Sequence, residues 1–258
     1  MNLRLGIFLM TALSLGIAEY FFAYRRRELP RKRRWPSNLM IIVTGSVLSR
    51  LILPLGLSSV ALWAKGHHLG LFNYFKVSII AASIMTFLLL DYAIYLQHVF
   101  SHRWKILWIF HRVHHTDPDL DFTTALRFHP VEILLSLVFK STVIIFIGAN
   151  VTSVLVFEIV LNSMAMFNHT NLNIPHRFER QLRKFIVTPQ MHIIHHSVEK
   201  AESDKNFGFN LSFWDYFFNS YQSGFHSAGI IGQRETNIKM DQRILKLLLQ
   251  PFKQRIRS

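Results

Sequence analysis

Residues 131–168 read VEILLSLVFKSTVIIFIGANVTSVLVFEIVLNSMAMFN, an apolar run of 38 residues with Gly148-Ala149-Asn150 near its middle. As one helix it would extend about 57 Å at 1.5 Å per residue, nearly twice the roughly 30 Å hydrocarbon thickness of a bilayer. Gly-Ala-Asn is a turn signal, so the run predicts a hairpin of two spans, near 131–148 and 151–168. Lys140 sits inside the first span, where it either snorkels or marks a helix lying partly in the interface. A hairpin returns the chain to the side it entered from, so residues 97–130 and everything from 169 onward can share one face of the membrane.

Upstream, three more stretches are long and apolar enough to cross: Leu3–Tyr24, Asn38–Ala64 and Leu71 to about Leu96. Charge follows the first stretch instead of preceding it, which fits a retained anchor better than a cleaved signal. Residues 25–34, RRRELPRKRR, hold seven bases and one acid. A nucleic-acid or anionic-lipid patch is one reading; a positive-inside loop that fixes orientation is the preferred one. It places this loop in the cytoplasm and Met1 outside, and three crossings then bring residue 97 into the cytoplasm as well.

Composition agrees. Only 17% of the 258 residues are charged and 50% are hydrophobic, against about 25% charged in soluble domains, and the mean hydropathy is +0.24. The net charge of +14 therefore reads as a membrane-edge bias, and no nucleic-acid partner is expected. The chain has no cysteine, which excludes disulfides, thiolate zinc sites, iron–sulfur clusters and thiolate nucleophiles. It has 14 histidines, nearly as many as its 15 acids.

Eight of those histidines fall in three clusters: His98 and His102 as HxxxH, then His111, His114 and His115 as HxxHH, then His192, His195 and His196 as HxxHH again. On a helix, positions three or four apart share a face, so each triplet offers a pair of imidazoles, with its third turned about 100° toward a neighbour. Two metal ions side by side could each take ligands from one such triplet. No histidine is followed by glutamate, which removes the HExxH zinc protease, and no glutamate has a histidine three residues on, which removes the carboxylate-bridged bundle. A membrane metal transporter or sensor is the alternative from another class; it would place ligands within the spans. Here the clusters begin at the end of the third span and continue into polar sequence, as an enzyme site at the membrane surface would.

These boxes, in this order and between paired spans, resemble the sterol desaturase / fatty acid hydroxylase superfamily of integral-membrane histidine-box oxygenases. The finer text agrees: Thr123-Thr-Ala-Leu-Arg-Phe-His-Pro130 after the second box, Asn168-His169-Thr170-Asn171 at the hairpin return, Thr188-Pro-Gln-Met-His-Ile-Ile-His-His196, and Asn206-Phe-Gly-Phe-Asn-Leu-Ser-Phe-Trp-Asp215. The likeness covers roughly residues 85 to 220. It implies an all-α membrane bundle of about five spans with a cytoplasmic histidine-rich di-iron cap, two iron ions, dioxygen as co-substrate, and hydroxylation or desaturation of a lipid C–H bond. It adds His169 to the ligands His98, His102, His111, His114, His115, His192, His195 and His196. Some members carry a further histidine four residues after His169; this chain has Asn173. Since nothing in the chain resembles an electron carrier, a separate donor is expected, a b-type cytochrome or a ferredoxin with its reductase.

Other residues gather around this core. Asp91 lies two helical turns before His98 and reads as a carboxylate that orients an imidazole, with Asn206 supporting the third box. His129 reads as structural, and Asp121 as the most inward of three loop aspartates. The expected divisions are 1–84 for the first spans and basic loop, 85–228 for the hydroxylase-like domain, and 229–258 for a basic amphipathic tail on the membrane surface. Short loops and the lack of a sorting signal favour a bacterial inner membrane over the endoplasmic reticulum.

Overall fold

A computed structural model describes residues 3–52, 54, 56–233 and 242–253. The helices are α1 (Leu3–Phe21), α2 (Arg31–Ile52), α3 (Leu57–Gly66), α4 (Leu71–Tyr74), α5 (Ile79–Arg103), α6 (Lys105–His115), α7 (Pro130–Ile147), α8 (Val151–Asn168), α9 (His176–Leu182), α10 (Pro189–His195), α11 (Lys200–Ser203), α12 (Phe213–Phe217) and α13 (Ile244–Lys253). Among the described residues there is no strand, only three isolated bridges. By length and composition five segments could cross a bilayer: Leu3–Phe21, Arg31–Tyr74, Ile79–Arg103, Pro130–Ile147 and Val151–Asn168. Large apolar side chains such as Leu13, Leu51, Ile79, Ile80 and Phe146 stay exposed along them, as a lipid-facing surface requires. The protein is an all-α integral-membrane bundle.

Local chemistry sets the hairpin. α7 opens on Pro130, whose missing N–H is not needed there, and His129 Nδ1 accepts from the Val131 amide at 3.2 Å. It closes at Gly148, which takes φ +73°; a Cβ there would lie 2.8 Å from the Leu69 carbonyl. Asn150 Oδ1 then caps α8 by accepting from the Ser153 amide at 2.8 Å.

The single span expected at Asn38–Ala64 is divided instead. α2 stops at Ile52 and α3 starts at Leu57, with Pro54 between them; proline lacks an amide hydrogen and restricts the residue before it. α3 lies against α7 and α8, α2 along α7, and α1 along α8. Leu57 and Ala61 of α3 meet Leu90 and Ile94 of α5, Ile144 of α7 and Phe157 of α8 in one buried cluster. Within lipid such contacts hold by close packing, because expelling water contributes little there.

α1 ends at Phe21 and the chain beyond it joins the polar layer, where the Tyr24 amide donates to Asn171 O at 3.0 Å. Part of the arginine-rich stretch is likewise not a solvated loop. Arg34 is fully buried and donates to Asp117 at 2.5 Å, to Asp121 at 2.8 Å and to the Asp119 carbonyl. Burial alone would raise the Asp117 carboxyl, but Arg34 and Arg127 outweigh it and hold the group below its usual range. Replacing Arg34 by methionine should cost roughly 3–5 kcal/mol, because it strands buried carboxylates. A thermal midpoint in detergent equal to that of the unaltered protein would contradict this.

At the other end, α13 packs on α6 and α2, with Leu247 against Ile41 and Val113. Residues 234–241 and 254–258 of the expected tail lie outside the described residues.

Candidate metal centre

Nine histidines converge in the polar cap in two groups, His98, His102, His111, His115 and His195, and His114, His169, His192 and His196, with the ligand atoms of each group within 4.8 Å of one another. Helical spacing explains the division. His111 and His115, four apart on α6, enter the first group while His114 turns to the second; His192 and His196, four apart around α10, enter the second while His195 turns to the first. Each HxxHH triplet thus serves both groups. His98 and His102 come from the last turns of α5, and His169 follows α8 at the return of the hairpin. Trp104, extended at φ −96° and ψ 116°, breaks α5 from α6 and folds the first two boxes together.

The ring orientations are anchored from outside. His98 Nδ1 lies 2.7 Å from Phe207 O, His169 Nδ1 2.6 Å from Ala165 O, His195 Nδ1 2.8 Å from Lys205 O and His111 Nδ1 2.6 Å from Glu132 Oε1. Carbonyl and carboxylate oxygens only accept, so each of these Nδ1 atoms carries the proton and each Nε2 presents a lone pair. Those lone pairs point inward. The Nε2 atoms of His98 and His195 are buried with no hydrogen-bond partner, as are both ring nitrogens of His196. His115 Nε2 lies 3.1 Å from His102 Nε2 and 3.2 Å from His111 Nε2, and His169 Nε2 lies 3.0 Å from His114 Nε2 and 3.1 Å from His192 Nε2.

Burial first, and neighbouring imidazoles second, hold His114, His115, His192 and His195 well below the ordinary histidine value, and burial lowers His169 to about 4. Neutral imidazoles crowded nitrogen to nitrogen, with orphaned lone pairs, are costly as a packed core and suited to cations. The residues present therefore fit two metal ions.

The remaining expected site residues sit around this cluster. Asn206 takes φ +54°, a left-handed conformation that asparagine tolerates. Its Nδ2 donates to Met191 O and Gln222 O at 2.9 Å each, and its Oδ1 accepts from the Gln222 amide at 2.8 Å. It thereby fixes the turn whose flanking carbonyls, Lys205 O and Phe207 O, hold His195 and His98. Asp91 touches no imidazole among its hydrogen-bond partners. Its Oδ2 accepts from Trp214 Nε1 at 2.9 Å and from the Leu211 amide at 3.2 Å, tying the 211–214 segment to α5. Asp215 accepts from the Phe207 and Gly208 amides at 2.8 Å each, and burial raises its carboxyl to about 6. His129 lies outside both groups and caps α7.

Several contributors had escaped the sequence reading. Glu132 pairs with His111, and its one signal was an acid in the first turn of an otherwise apolar span. Asp204 lies 3.5 Å from His102 Nδ1. Glu179 accepts from Thr188 Oγ1 at 2.5 Å, beside the cap of α10.

The comparisons with known proteins agree with this geometry. The fatty acid hydroxylase model matches residues 83–220, more than half of the chain. An ornithine lipid hydroxylase of Rhizobium tropici is 26% identical over 68% of this chain and 51% of its own length. Alkylglycerol monooxygenases of Homo sapiens and Danio rerio are 28% and 31% identical, each over 53% of this chain and 30% of their own length. The chain thus spans about half of the first relative's length and about a third of the others', and no solved structure matches it. With the three histidine boxes inside the matched region and brought to one place by the fold, the chain belongs to the fatty acid hydroxylase family.

Proposed function

We propose that this protein is a dioxygen-dependent lipid hydroxylase working from two iron ions held by the nine histidines. The donor set carries the reading: two groups of buried imidazoles with anchored Nδ1 and inward Nε2 atoms. Imidazole alone suits iron, zinc and copper, but C–H oxidation requires a metal that changes oxidation state, which zinc does not. Bound there, iron would supply the chemistry that joins one oxygen atom of dioxygen to a lipid carbon and reduces the other to water, with two electrons and two protons drawn from outside.

The chain's own part is to hold and seal the centre. Ala165, Lys205 and Phe207 carbonyls and the Glu132 carboxylate fix four rings, and burial keeps bulk water from all nine. The activities named for the relatives, a hydroxylase and a monooxygenase, favour hydroxylation over desaturation. A transporter would string its ligands along a path through the spans, whereas these gather in one cap. Lipid extracts from cells with and without the gene test the reading: a lipid heavier by one oxygen atom should appear only with the gene. A knockout with an unchanged lipidome, in cells shown to make the protein, would overturn it.

We also infer that the centre faces the cytoplasm of a bacterial inner membrane, on the side of the arginine-rich stretch 25–34. The cysteine-free background suits single-cysteine labelling. Exposed positions Lys32, Lys105 and Lys200 should react, as cysteines, from the cytoplasm, and His68 from the opposite side. Labelling of Lys32 and Lys200 positions from opposite sides would refute a shared face.

A further inference from the structure

An apolar cavity of about 250 Å³ opens between α5, α6 and α7, beside the first histidine group. Its walls are Phe100 and Trp104, Leu107 and Phe110, and Leu135 and Phe139. Trp104 and Leu135 are 55% and 44% exposed, and Leu135 belongs to a membrane-spanning helix, so the cavity communicates with the region lipids occupy. Its lining includes one acid, Glu132, which is only 9% exposed. Glu132 Oε1 is engaged by His111 Nδ1 at 2.6 Å, while Oε2 is buried and, among the described residues, has no hydrogen-bond partner. A buried carboxylate oxygen left bare costs a few kcal/mol unless something donates to it.

We propose that this cavity seats the substrate lipid, with its alkyl chain against the aromatic walls and a hydroxyl group donating to Glu132 Oε2. The inference rests on the proposed lipid oxidation and names the substrate class for that site. The carboxylate decides the polarity: it accepts only, so its complement must bear a proton, and it repels the carboxylate of a free fatty acid. Glu132 is separated from the inward Nε2 of His111 by the width of one imidazole. A hydroxyl anchored there holds the polar end of the chain next to the centre, so the oxidised carbon lies near the hydroxyl and far from the chain terminus. Free fatty acids, despite the family's description, are excluded as preferred substrates on this account.

The test uses the full chain, iron-loaded, in phosphatidylcholine nanodiscs, with a long-chain O-alkylglycerol bearing a photoreactive diazirine on its chain. Labelling should map to peptides of α5, α6 and α7. Unlabelled O-alkylglycerol should compete, while the same lipid with its hydroxyls capped as methyl ethers, and the free fatty acid, should compete about tenfold or more weakly, the value of a hydrogen bond to a charged group. Leu135→Trp, which fills the mouth, should abolish the labelling with iron per chain unchanged. Glu132→Gln should narrow the gap between alkylglycerol and fatty acid. Labels spread over all lipid-facing helices, or equal competition by the capped lipid or the fatty acid, would overturn the proposal; the competition arm needs no variant. Mapped labelling in a protein that oxidises no lipid would fail the function and keep the cavity, whereas lipid oxidation with labels elsewhere would fail the cavity and keep the function.

Discussion

Protein purified without oxygen should carry about two irons per chain, the number nine nitrogen ligands in two groups can hold. His114→Ala together with His195→Ala takes one ligand from each group and should strip most of the iron and at least about a hundredfold of the activity, since even partners of ligands are worth 10–100-fold. Asn206→Ala should act more mildly. It removes the three side-chain hydrogen bonds that fix the turn behind Lys205 O and Phe207 O, leaves every ligand in place, and should weaken iron retention by about tenfold or more. The order of the three proteins, unaltered, Asn206→Ala and double histidine variant, is the informative result. A single metal per chain, or both irons retained after the double substitution, would refute the two-ion reading. Zinc can displace iron at imidazole sites, so activity has to be followed against iron reconstitution, where it should track iron and not total metal.

The parts of this site visible in the sequence are those that obey short-range geometry. Positions three and four apart must share a helical face, so the boxes pointed to two ions side by side, each served by one triplet; the structure gathers all nine expected histidines but splits each triplet between the two groups. The hairpin was visible for a similar reason: an apolar run too long for one crossing has to turn, and Gly148 can take the positive φ of the turn. What stayed hidden depends on contacts between distant segments. The carbonyls of Phe207, Ala165 and Lys205 that orient His98, His169 and His195 belong to the backbone and leave no residue-type signature. Arg34 looked like one of seven equivalent bases until its partners, more than eighty residues away, were in place. Asp91 shows the limit of facial periodicity. It does share the direction of His98 along α5, but the indole N–H of Trp214 and the Leu211 amide reach it first.

Iron-loaded protein given lipid, dioxygen and NAD(P)H alone should turn over no substrate, and adding a reductase with a small one-electron carrier should start turnover. Electron balance requires this. Inserting one oxygen atom into a C–H bond and forming water from the other consumes two electrons that the lipid does not supply. The chain has no cysteine to hold an iron–sulfur cluster and no glycine-rich dinucleotide fingerprint, so we propose a separate carrier, a b-type cytochrome or a ferredoxin. One route to the centre is short. His102 of the first group lies 3.5 Å from Asp204, which is 38% exposed, and the positive charges of Arg103, Lys200 and Lys205 surround that carboxylate. An acidic carrier would be steered to such a patch. Two signatures separate docking there from a merely soluble reductant. Turnover at limiting carrier should fall as salt rises toward about 1 M, where screening shortens to roughly 3 Å. Lys200→Glu with Lys205→Glu should raise the carrier concentration needed for half-maximal rate, with the rate at saturating carrier and the iron content unchanged. Sustained turnover with NAD(P)H and no added protein would refute the need for a partner, and a salt-independent carrier requirement would refute this patch as its docking site.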